Sequence, residues 1–485
     1  RQDAAAVDDL AGAASALFTS RKLSWEPRQP SPGAPGSRRS ASVPRYATRV
    51  DAKTLIVGDG TLVPNGSVIF ERASGKILYA GAAGGAPPTP VNTTLAVEAV
   101  MPGLWDCHTH FMGALAPDSE FKDGGYLSAS FPDNYMRFHS ALVELEQALM
   151  MGITSVRELG GMFGQAIHHL EMSGKIAAPH FHFAGRAIGM TGGHADDQLV
   201  PLEEYRRQDA WMDSGGALCD GPAECTKRVR ENLRMQADVI KIMATGGVLS
   251  EFDQPTDAQL SPAEIKAIVE EAARARRAVA AHAHGAEGIQ NAIENGVTTI
   301  EHGSFMTREQ AQQIKASGSM IYTPTVTVSQ FFFNRTEKPP TLDDNQWRKG
   351  TEMLKHHSKA VQAAIEEGLT IVTGTDCPSG CAMAGTEVNY LHMFGMAPLD
   401  AIKAATGDAP KCLGVNSPMV PRSGKLAAGY DADVIALDTN PVEHLDALTR
   451  SERITHVWKS GGLFKAPGNP PLGAHRGSAR AELIV

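Results

Sequence analysis

The middle of the chain alternates short apolar runs with stretches in which apolar residues recur every three or four positions. Eight apolar runs have the length and composition of buried strands, at residues 102–110, 153–158, 180–184, 239–243, 278–284, 298–302, 320–324 and 370–376. Amphipathic helical patterns lie between them, including those at residues 138–150, 261–276, 286–295, 307–317 and 357–367. Eight strand–helix units in succession predict an α/β protein built on a (β/α)8 TIM barrel.

Both ends of the chain carry short β-type runs of a different kind. They are separated by turn residues and occupy residues 54–57, 67–70, 76–79, 95–98, 424–426, 432–437 and 454–458. We therefore predict a small β-sandwich domain formed from both chain ends, residues 46–100 and 407–466, with a barrel of residues 101–406 between them. The first 45 residues are rich in Ala, Ser, Pro and Arg, which predicts a flexible arm. Residues 467–485 are predicted to be a C-terminal tail.

Composition and charge narrow the classes of partner. The 485 residues are 42% hydrophobic and 20% charged, with a formal net charge of −9, which argues against nucleic acid or an anionic membrane as a main partner. The sequence has no apolar run of the roughly 18 residues that a membrane span requires. Cys219 and Cys225 lie close enough in sequence to bridge, but with few cysteines in the chain free thiols are favoured. Both a secreted and a cytoplasmic location fit this small number of cysteines.

Two histidines close the first predicted strand. His108 and His110 are separated by one residue, and alternate residues of a strand point to the same side. Two imidazoles on one side are typical ligands of zinc-like cations. The pair alone is a weak signal because the chain contains 17 histidines. The pair indicates a metal site only if the ends of other strands supply further ligands.

Four other predicted strands contain or end in residues that can bind metal: Lys241 in the fourth, His282 and His284 in the fifth, His302 in the sixth and Asp376 in the eighth. A core lysine is costly unless it is paired or neutralised, and reaction with CO2 turns its amine into an anionic ligand that can bridge two metals. Each residue also has an ordinary interpretation, since Lys241 can snorkel, Asp376 can cap a helix and the histidines can be packing residues. Because the active site of a barrel gathers at the carboxyl ends of its strands, the joint pattern favours a metal site.

These motifs resemble those of the amidohydrolase superfamily, in its binuclear branch with a carboxylated lysine. The matching segments are Asp106-Cys-His-Thr-His110, Val239-Ile-Lys241, Ala281-His-Ala-His-Gly285, Ile300-Glu-His302 and Gly374-Thr-Asp376. Other segments are similar to the ochratoxinases and related carboxypeptidase-like amidohydrolases: Met101-Pro-Gly-Leu-Trp-Asp-Cys-His108, Ile240-Lys-Ile-Met-Ala-Thr-Gly-Gly-Val248, Ile402-Lys-Ala-Ala-Thr406 and His456-Val-Trp-Lys459. The resemblance extends over roughly residues 50–466.

The resemblance implies two divalent metal ions, expected to be zinc, held by six residues: His108, His110 and Asp376 for the first metal, His282 and His302 for the second, and carboxylated Lys241 bridging both. Two such ions lower the pKa of a shared water towards neutrality. Asp376 is then expected to accept the proton of that water and to deliver it to the leaving amine. His284, on the same strand face as His282, is predicted to act in catalysis or substrate binding.

Other candidates lie outside the metal ligands. His194, in the glycine-rich loop 190–196, is predicted to stabilise an oxyanion or to bind substrate, although its glycines equally indicate a turn. Tyr322, in the seventh predicted strand, is a further predicted substrate-binding residue. The long segments 112–137 and 186–226 carry aromatic residues suited to an aromatic substrate: Phe121, Tyr126, Phe131, Tyr135 and Trp211. These segments can equally pack against each other or against a neighbouring subunit.

The resemblance implies hydrolysis of an amide between an acyl group and a C-terminal amino acid. Ochratoxin A, which would be split into ochratoxin alpha and phenylalanine, is the specific expectation. The alternatives of the same fold are a dipeptidase of Xaa-Pro or Xaa-Arg type and a hydrolase of cyclic amides, N-acyl sugars or aminated rings. A non-catalytic assembly module would have lost metal ligands, and every expected ligand is present. The resemblance also implies a homo-oligomer, with an octamer as one candidate.

Overall fold

The structure is a computed structural model that describes residues 47–112, 134–210, 216–376 and 384–468. Within these ranges the chain forms sixteen strands, numbered in chain order: β1 (Ala47–Ile56), β2 (Leu62–Glu71), β3 (Lys76–Ala82), β4 (Val91–Pro102), β5 (Leu104–Thr109), β6 (Ile153–Glu158), β7 (His180–Phe183), β8 (Ala187–Gly189), β9 (Gly216–Leu218), β10 (Val239–Met243), β11 (Ala278–Ala283), β12 (Thr299–His302), β13 (Ile321–Thr323), β14 (Val434–Leu437), β15 (Ile454–Lys459) and β16 (Gly462–Lys465).

The same ranges contain eleven α-helices: α1 (Asn134–Met150), α2 (Gly164–Met172), α3 (Leu202–Ala210), α4 (Pro222–Arg234), α5 (Pro262–Arg274), α6 (Ala286–Glu294), α7 (Arg308–Ser317), α8 (Val326–Phe333), α9 (Asp344–Glu366), α10 (Ala384–Met393) and α11 (Pro398–Ala404). Short 3-10 helices lie at Ala83–Gly85, Ala409–Leu413, Leu445–Thr449 and Ser451–Arg453. None of the helices in the described ranges has the length and apolar character needed to cross a bilayer.

Two parallel sheets occupy the middle of the chain. One has the strand order β5-β6-β7, and the other has the order β13-β12-β11-β10-β8-β9. Every residue of β5, β6, β10, β11 and β12 is buried, as expected for parallel strands that helices cover on their outer face. The predicted α/β architecture is therefore confirmed.

The two ends of the chain meet in a third sheet with the strand order β16-β15-β14-β4-β1-β2-β3. β14 pairs antiparallel with β4, so that Val434 lies opposite Pro102. Only β1 and β4 pair in parallel in this sheet. A separate sheet made from both chain ends is thus confirmed, although residues 424–426, predicted as one of its strands, form none.

Seven of the eight predicted parallel strands are present within two residues of their predicted ends, but the eighth is not a regular strand. Within residues 370–376 only Ile371 forms a bridge, to β13. The segment is held against β5 by other bonds, because Cys107 N donates to Thr373 O at 2.9 Å and Asp376 N donates to His108 O at 2.7 Å. Its backbone turns left-handed at Asp376, with φ of 52°, which ends the extended conformation there.

The predicted helices are present, but α9 begins at residue 344 rather than 357. The Asp343 side chain accepts a hydrogen bond from Gln346 N at 2.7 Å, and the Gln346 side chain accepts one from Asp343 N at 3.1 Å. This reciprocal cap starts the helix thirteen residues earlier than the predicted apolar periodicity. The larger parallel sheet also contains two short strands that the sequence did not predict, β8 and β9.

The expectation that Cys219 and Cys225 are free thiols is wrong, because the two form a disulfide. Cys219 directly follows β9, and Cys225 lies in the first turns of α4. The tight turn between strand and helix brings their Cα atoms to 5.0 Å, a separation that a disulfide spans readily. Cys107 and Cys412 are free and buried.

A group of charges, buried except for part of the His180 ring, joins the parallel strand β7 to the sheet made from the chain ends. His180 Nε2 lies 3.3 Å from Asp433 Oδ1, and His180 Nδ1 lies 3.4 Å from Glu171 Oε1. Lys459 Nζ donates to the same Glu171 oxygen at 2.5 Å. Burial alone would lower the pKa of His180, but the two carboxylates raise it to about 9. This cluster is a charged contact between the two parts of the fold.

Candidate metal centre

Asp376 lies at the centre of the first group of predicted ligands. Its Oδ1 atom is 3.4 Å from His108 Nε2 and 3.2 Å from His110 Nε2, while its Oδ2 atom is 3.9 Å from His302 Nδ1. His108, His302 and Asp376 offer ligand atoms that all lie within 4.8 Å of one another. A zinc-like cation binds nitrogen and oxygen atoms at about 2.0–2.2 Å, so small movements would let these groups share one ion.

Three histidines that lie in β11 and β12 or directly after β11 form a second group. His282, His284 and His302 also offer ligand atoms within 4.8 Å of one another, and their ring centroids are 4.6 to 4.7 Å apart. The sequence predicted His282 and His302 as ligands and His284 as a residue near the substrate. The structure brings all three together, and His284 Nδ1 hydrogen-bonds Ser304 Oγ at 2.8 Å.

Lys241 points from the middle of β10 towards the first group. Its side chain is buried, and its Nζ atom donates to His108 Nε2 at 3.2 Å. Burial lowers the pKa of Lys241 to about 8, although the carboxylates of Glu301 and Asp376 act in the opposite direction. The neutral amine is the form that reacts with CO2, so this environment favours the predicted carboxylation.

Glu301, a residue that the sequence did not single out, holds His108 in place. Its Oε2 atom accepts a hydrogen bond from His108 Nδ1 at 2.8 Å, and its Oε1 atom accepts one from the Arg157 guanidinium at 2.8 Å. Burial alone would raise the pKa of Glu301, but Arg157 and His108 lower it to about 2. The His108 ring is therefore fixed with Nε2 towards Asp376. Carboxylates commonly orient metal-binding histidines in this way, by accepting a hydrogen bond from the other ring nitrogen. The only feature of the sequence that could have pointed to this role of Glu301 is its position directly before His302.

Other imidazoles of the site are also fixed by hydrogen bonds to backbone or hydroxyl groups. His110 Nδ1 bonds Gly160 O at 2.8 Å, and His302 Nδ1 bonds Thr325 Oγ1 at 2.7 Å. His282 Nε2 bonds Gly246 O at 3.1 Å, which leaves Nδ1 as the atom of this ring that is available to a ligand. These partners set the orientation of each ring before any ion binds.

Two further buried carboxyl groups lie beside the ligands and were not predicted. Asp106 accepts hydrogen bonds from His108 N, at 3.2 Å, and from Thr375 N and Oγ1, at 3.0 and 2.6 Å. It thereby links β5 to the segment that carries Asp376. Glu158 ends β6, and one of its oxygens is buried without a hydrogen-bond partner in the described structure. Burial raises the pKa of both carboxyl groups to about 7.

The backbone around these residues is strained. His302, Thr325 and Asp376 have φ values of 68°, 53° and 52°, in the left-handed region that non-glycine residues rarely adopt. Each such residue costs on the order of 1–3 kcal/mol and persists where the surrounding structure enforces it, often at functional sites. Two of the three are predicted metal ligands, and the third hydrogen-bonds one of them.

His194 lies at the edge of the site, and Tyr322 lies beneath it. The His194 ring stacks on that of His282, with a centroid separation of 4.4 Å. Tyr322 is fully buried, and its hydroxyl donates to His302 O at 2.7 Å, so it touches a predicted ligand through that residue's backbone. Of the predicted loop aromatics, Tyr135 lies in the first turn of α1 with 83% of its surface exposed. The others fall outside the described residues: Phe121, Tyr126, Phe131 and Trp211.

Comparisons with known proteins identify the family of this chain. The profile of the "Amidohydrolase family" matches residues 99–463. The chain is 38% identical to an ochratoxinase from Aspergillus niger over 439 residues, which are 88% of each chain. The crystal structure of A. niger ochratoxinase superposes with a TM-score of 0.79 at 35% identity, covering 88% of this chain and 97% of the other. A Xaa-Pro dipeptidase with bound methionine superposes with a TM-score of 0.75 at 28% identity, covering 87% of this chain and all of the other.

Proposed function

The chain belongs to the amidohydrolase family, and on that premise we propose that it is a binuclear metal-dependent amidase that removes a C-terminal amino acid from an acyl group. The observation that carries the proposal is the convergence of six side chains of ligand type, Lys241 from the middle of β10 and the others from the carboxyl ends of parallel segments: His108, His110, His282, His302 and Asp376. Imidazole nitrogens and carboxylate oxygens fit zinc or a similar divalent ion.

The fold that supports this site is, in our proposal, a closed barrel. Two backbone hydrogen bonds connect the parallel sheets to their neighbours. Asp238 N, directly before β10, donates to Phe183 O in β7 at 2.8 Å, and Cys107 N in β5 donates to Thr373 O in the segment 370–376 at 2.9 Å. With the bridge between Tyr322 and Ile371, these contacts support a ring of eight extended segments. The irregular eighth segment is part of that ring.

The sheet made from the chain ends would be the small β-sandwich domain. β2 and β15 are four places apart in its strand order, which in a flat sheet is about 19 Å. The rings of Phe70 in β2 and Trp458 in β15 are nevertheless 5.5 Å apart. A sheet that folds back on itself accounts for this contact.

Lys241 would complete the ligand set by reacting with CO2. Its neutral amine attacks the carbon of CO2, a C–N bond forms, and the displaced N–H proton passes to solvent, which leaves an anionic carbamate. The carbamate oxygens would then bridge the two ions. Burial of Lys241 and its 3.2 Å contact with His108 support this role.

When bound, the two divalent ions lower the pKa of water towards neutrality and polarise the scissile carbonyl. Asp376 would take the proton from the attacking water and deliver it to the leaving amine. Burial alone would raise the pKa of the Asp376 carboxyl, but the imidazoles of His108 and His110 hold that pKa well below its usual range. The carboxyl group is therefore ionised before the reaction. His194 and His284, which flank His282, would contact the substrate.

Ochratoxin A is the first substrate to test, because of the 38% identity to an ochratoxinase. A dipeptidase activity is the second candidate, supported by the Xaa-Pro dipeptidase and by a prolidase complexed with N-methylphosphonate-L-proline, which superposes with a TM-score of 0.74 at 26% identity. A hydrolysis screen over ochratoxin A, N-acyl amino acids and Xaa-Pro dipeptides separates the two. Release of phenylalanine from ochratoxin A supports the first, and cleavage of dipeptides alone supports the second.

Metal analysis tests the proposal independently of substrate. We expect about two equivalents of divalent metal in fully active protein. Active protein with less than one equivalent would contradict a binuclear centre. The homo-oligomer that the resemblance implies stays a prediction, and analytical ultracentrifugation of the purified protein would test it.

A further inference from the structure

A loop next to the site, residues 246–254 between β10 and α5, is built around a buried lysine. Lys349 comes from α9 and is 3% exposed. Its Nζ atom donates to the carbonyl oxygens of Gly247, Ser250 and Asp253, at 3.1, 2.6 and 3.0 Å. An ammonium group without such acceptors would be expensive to bury. The three carbonyls therefore face one point, and the path of the loop is set by that lysine.

The first turn of α9 holds the loop at two further points. Gln346 Nε2 donates to Leu249 O at 2.7 Å, and Asn345 Nδ2 donates to Glu251 O at 2.9 Å. These contacts join segments almost one hundred residues apart in the chain. Hydrogen bonds from α9 therefore hold the loop in place, in addition to the loop's own short-range turns.

Asp253 connects the loop 246–254 to His194. The carboxylate is 6% exposed, and its Oδ2 atom accepts hydrogen bonds from Gly247 N at 3.2 Å and Gln259 Nε2 at 3.1 Å. The same oxygen is 3.7 Å from His194 Nδ1. Gln259 in turn accepts a hydrogen bond from His194 N at 2.9 Å. Asp253 contacts the ring of His194, Gln259 contacts its backbone, and these two side chains hydrogen-bond each other.

Gly247 brings the loop backbone directly against the His194 ring. A Cβ atom at Gly247 would lie 1.9 Å from Cε1 of that ring, so any side chain there would displace it. On its other side the ring stacks on His282. His194 Nδ1 is buried and has no hydrogen-bond partner among the described residues. The position of the His194 ring is therefore determined by the loop.

We propose that Lys349 and Asp253 are positioning residues that set where the His194 ring meets the substrate; this inference rests on the proposed function, in which His194 contacts the substrate. Lys349 acts through the loop carbonyls and Asp253 through its carboxylate. The three acceptors of Lys349 all belong to the loop, and none is a residue of the predicted ligand set. Among the described hydrogen bonds, neither residue pairs with Gly246, whose carbonyl oxygen orients His282, so loss of either should alter substrate binding and leave the metal ions in place.

The test compares Lys349→Met, which keeps the aliphatic stem but cannot donate, with Asp253→Asn. Lys355→Met is the matched control, since Lys355 lies on the same helix, is exposed and pairs only with Glu352 in the described contacts. With N-benzoylglycyl-phenylalanine as substrate we expect KM to rise about tenfold or more in the first two variants, because small displacements of a positioning group have large effects. Metal content should match the wild type, and Lys349→Arg should recover part of the loss.

Unchanged KM in both variants would overturn the inference, and so would metal loss in proportion to activity, since that would indicate a general structural role. If Lys349→Met does not fold, Gly247→Ala replaces it, because the added methyl group displaces the ring directly and should raise KM likewise. If the wild type hydrolyses no amide, the proposed function fails on its own. The NMR signals of the His194 ring then decide the inference, since they should shift in Lys349→Met and stay fixed in Lys355→Met.

Discussion

Oε2 of Glu301 lies 2.8 Å from Nδ1 of His108, on the side of the ring that faces away from Asp376. Replacing Glu301 with Gln keeps the size of the side chain but removes the charge that fixes the His108 ring. We expect metal affinity to fall by about 10–100-fold, the usual effect of losing such a partner. Competition with a chromophoric chelator measures this affinity directly.

Glu294→Gln is the control for this substitution, because Glu294 is an exposed residue at the end of α6. It should bind metal as the wild type does. Equal affinity in Glu301→Gln and the wild type would show that the His108 contact does not support the metal centre.

Lys241→Ala should lose the bridging ligand. Because a missing bridge leaves two cations without a shared anion, we expect less bound metal and a fall in kcat/KM of on the order of a hundredfold or more. Elemental analysis and steady-state kinetics on the same preparation check both effects. Lys266→Ala, at an exposed position of α5, is the control, and turnover near wild type in Lys241→Ala would rule out the bridge.

The His180 cluster predicts a pH dependence of folding stability. Because the folded-state pKa of His180 is raised from 6.5 to about 9, its stabilising contribution is complete below pH 6.5 and is lost as the pH rises through about 9. We expect the free energy of unfolding to fall by about 2 kcal/mol over that interval, less than the full shift implies because part of the ring is exposed. Urea unfolding at a series of pH values measures the change.

His180→Gln removes the titrating group from that cluster. The variant should be less stable than the wild type at neutral pH and should lose most of the pH dependence above pH 6.5. A wild-type curve that is flat over the same interval would show that the contacts with Asp433 and Glu171 do not raise the pKa of His180.

Tyr322→Phe distinguishes two roles for a residue that the sequence assigns to substrate binding. The hydroxyl donates to His302 O at 2.7 Å, so its removal should cost about 1 kcal/mol of folding stability. If Tyr322 acts only through the His302 backbone, KM should stay unchanged. A raised KM at unchanged stability would instead support the predicted contact with substrate. Thermal unfolding and kinetics together decide between them.

The alternation of side chains along strands made much of the candidate ligand set predictable. His108 and His282 lie in β5 and β11, and His110 and His284 directly follow these strands. The ring centroids of the two pairs are 5.4 and 4.7 Å apart, which fits the two-residue repeat of side chains in a strand. The contacts that orient these ligands were not predictable in this way. Glu301 reaches His108 across 193 positions of sequence, and no local pattern encodes that distance.

Local backbone geometry accounts for the predictions that were wrong. The segment that carries Asp376 uses side-chain bonds, such as that from Thr375 to Asp106, where a ladder bond was expected. Cys219 and Cys225 bridge because a single turn links β9 to α4, and turn geometry of that kind is not visible in spacing alone. In both cases the residue types were identified and their backbone conformation was not.

The pairing of β4 with β14 has a consequence for synthesis. Met101 in β4 lies opposite Ile435 in β14, so more than three hundred residues must leave the ribosome between the two partners. At typical translation rates this takes on the order of tens of seconds, during which the apolar β4 strand has no neighbour on that edge. A nascent chain is therefore exposed to aggregation until its last strands emerge, and truncations that remove β14 should require a chaperone or fail to accumulate.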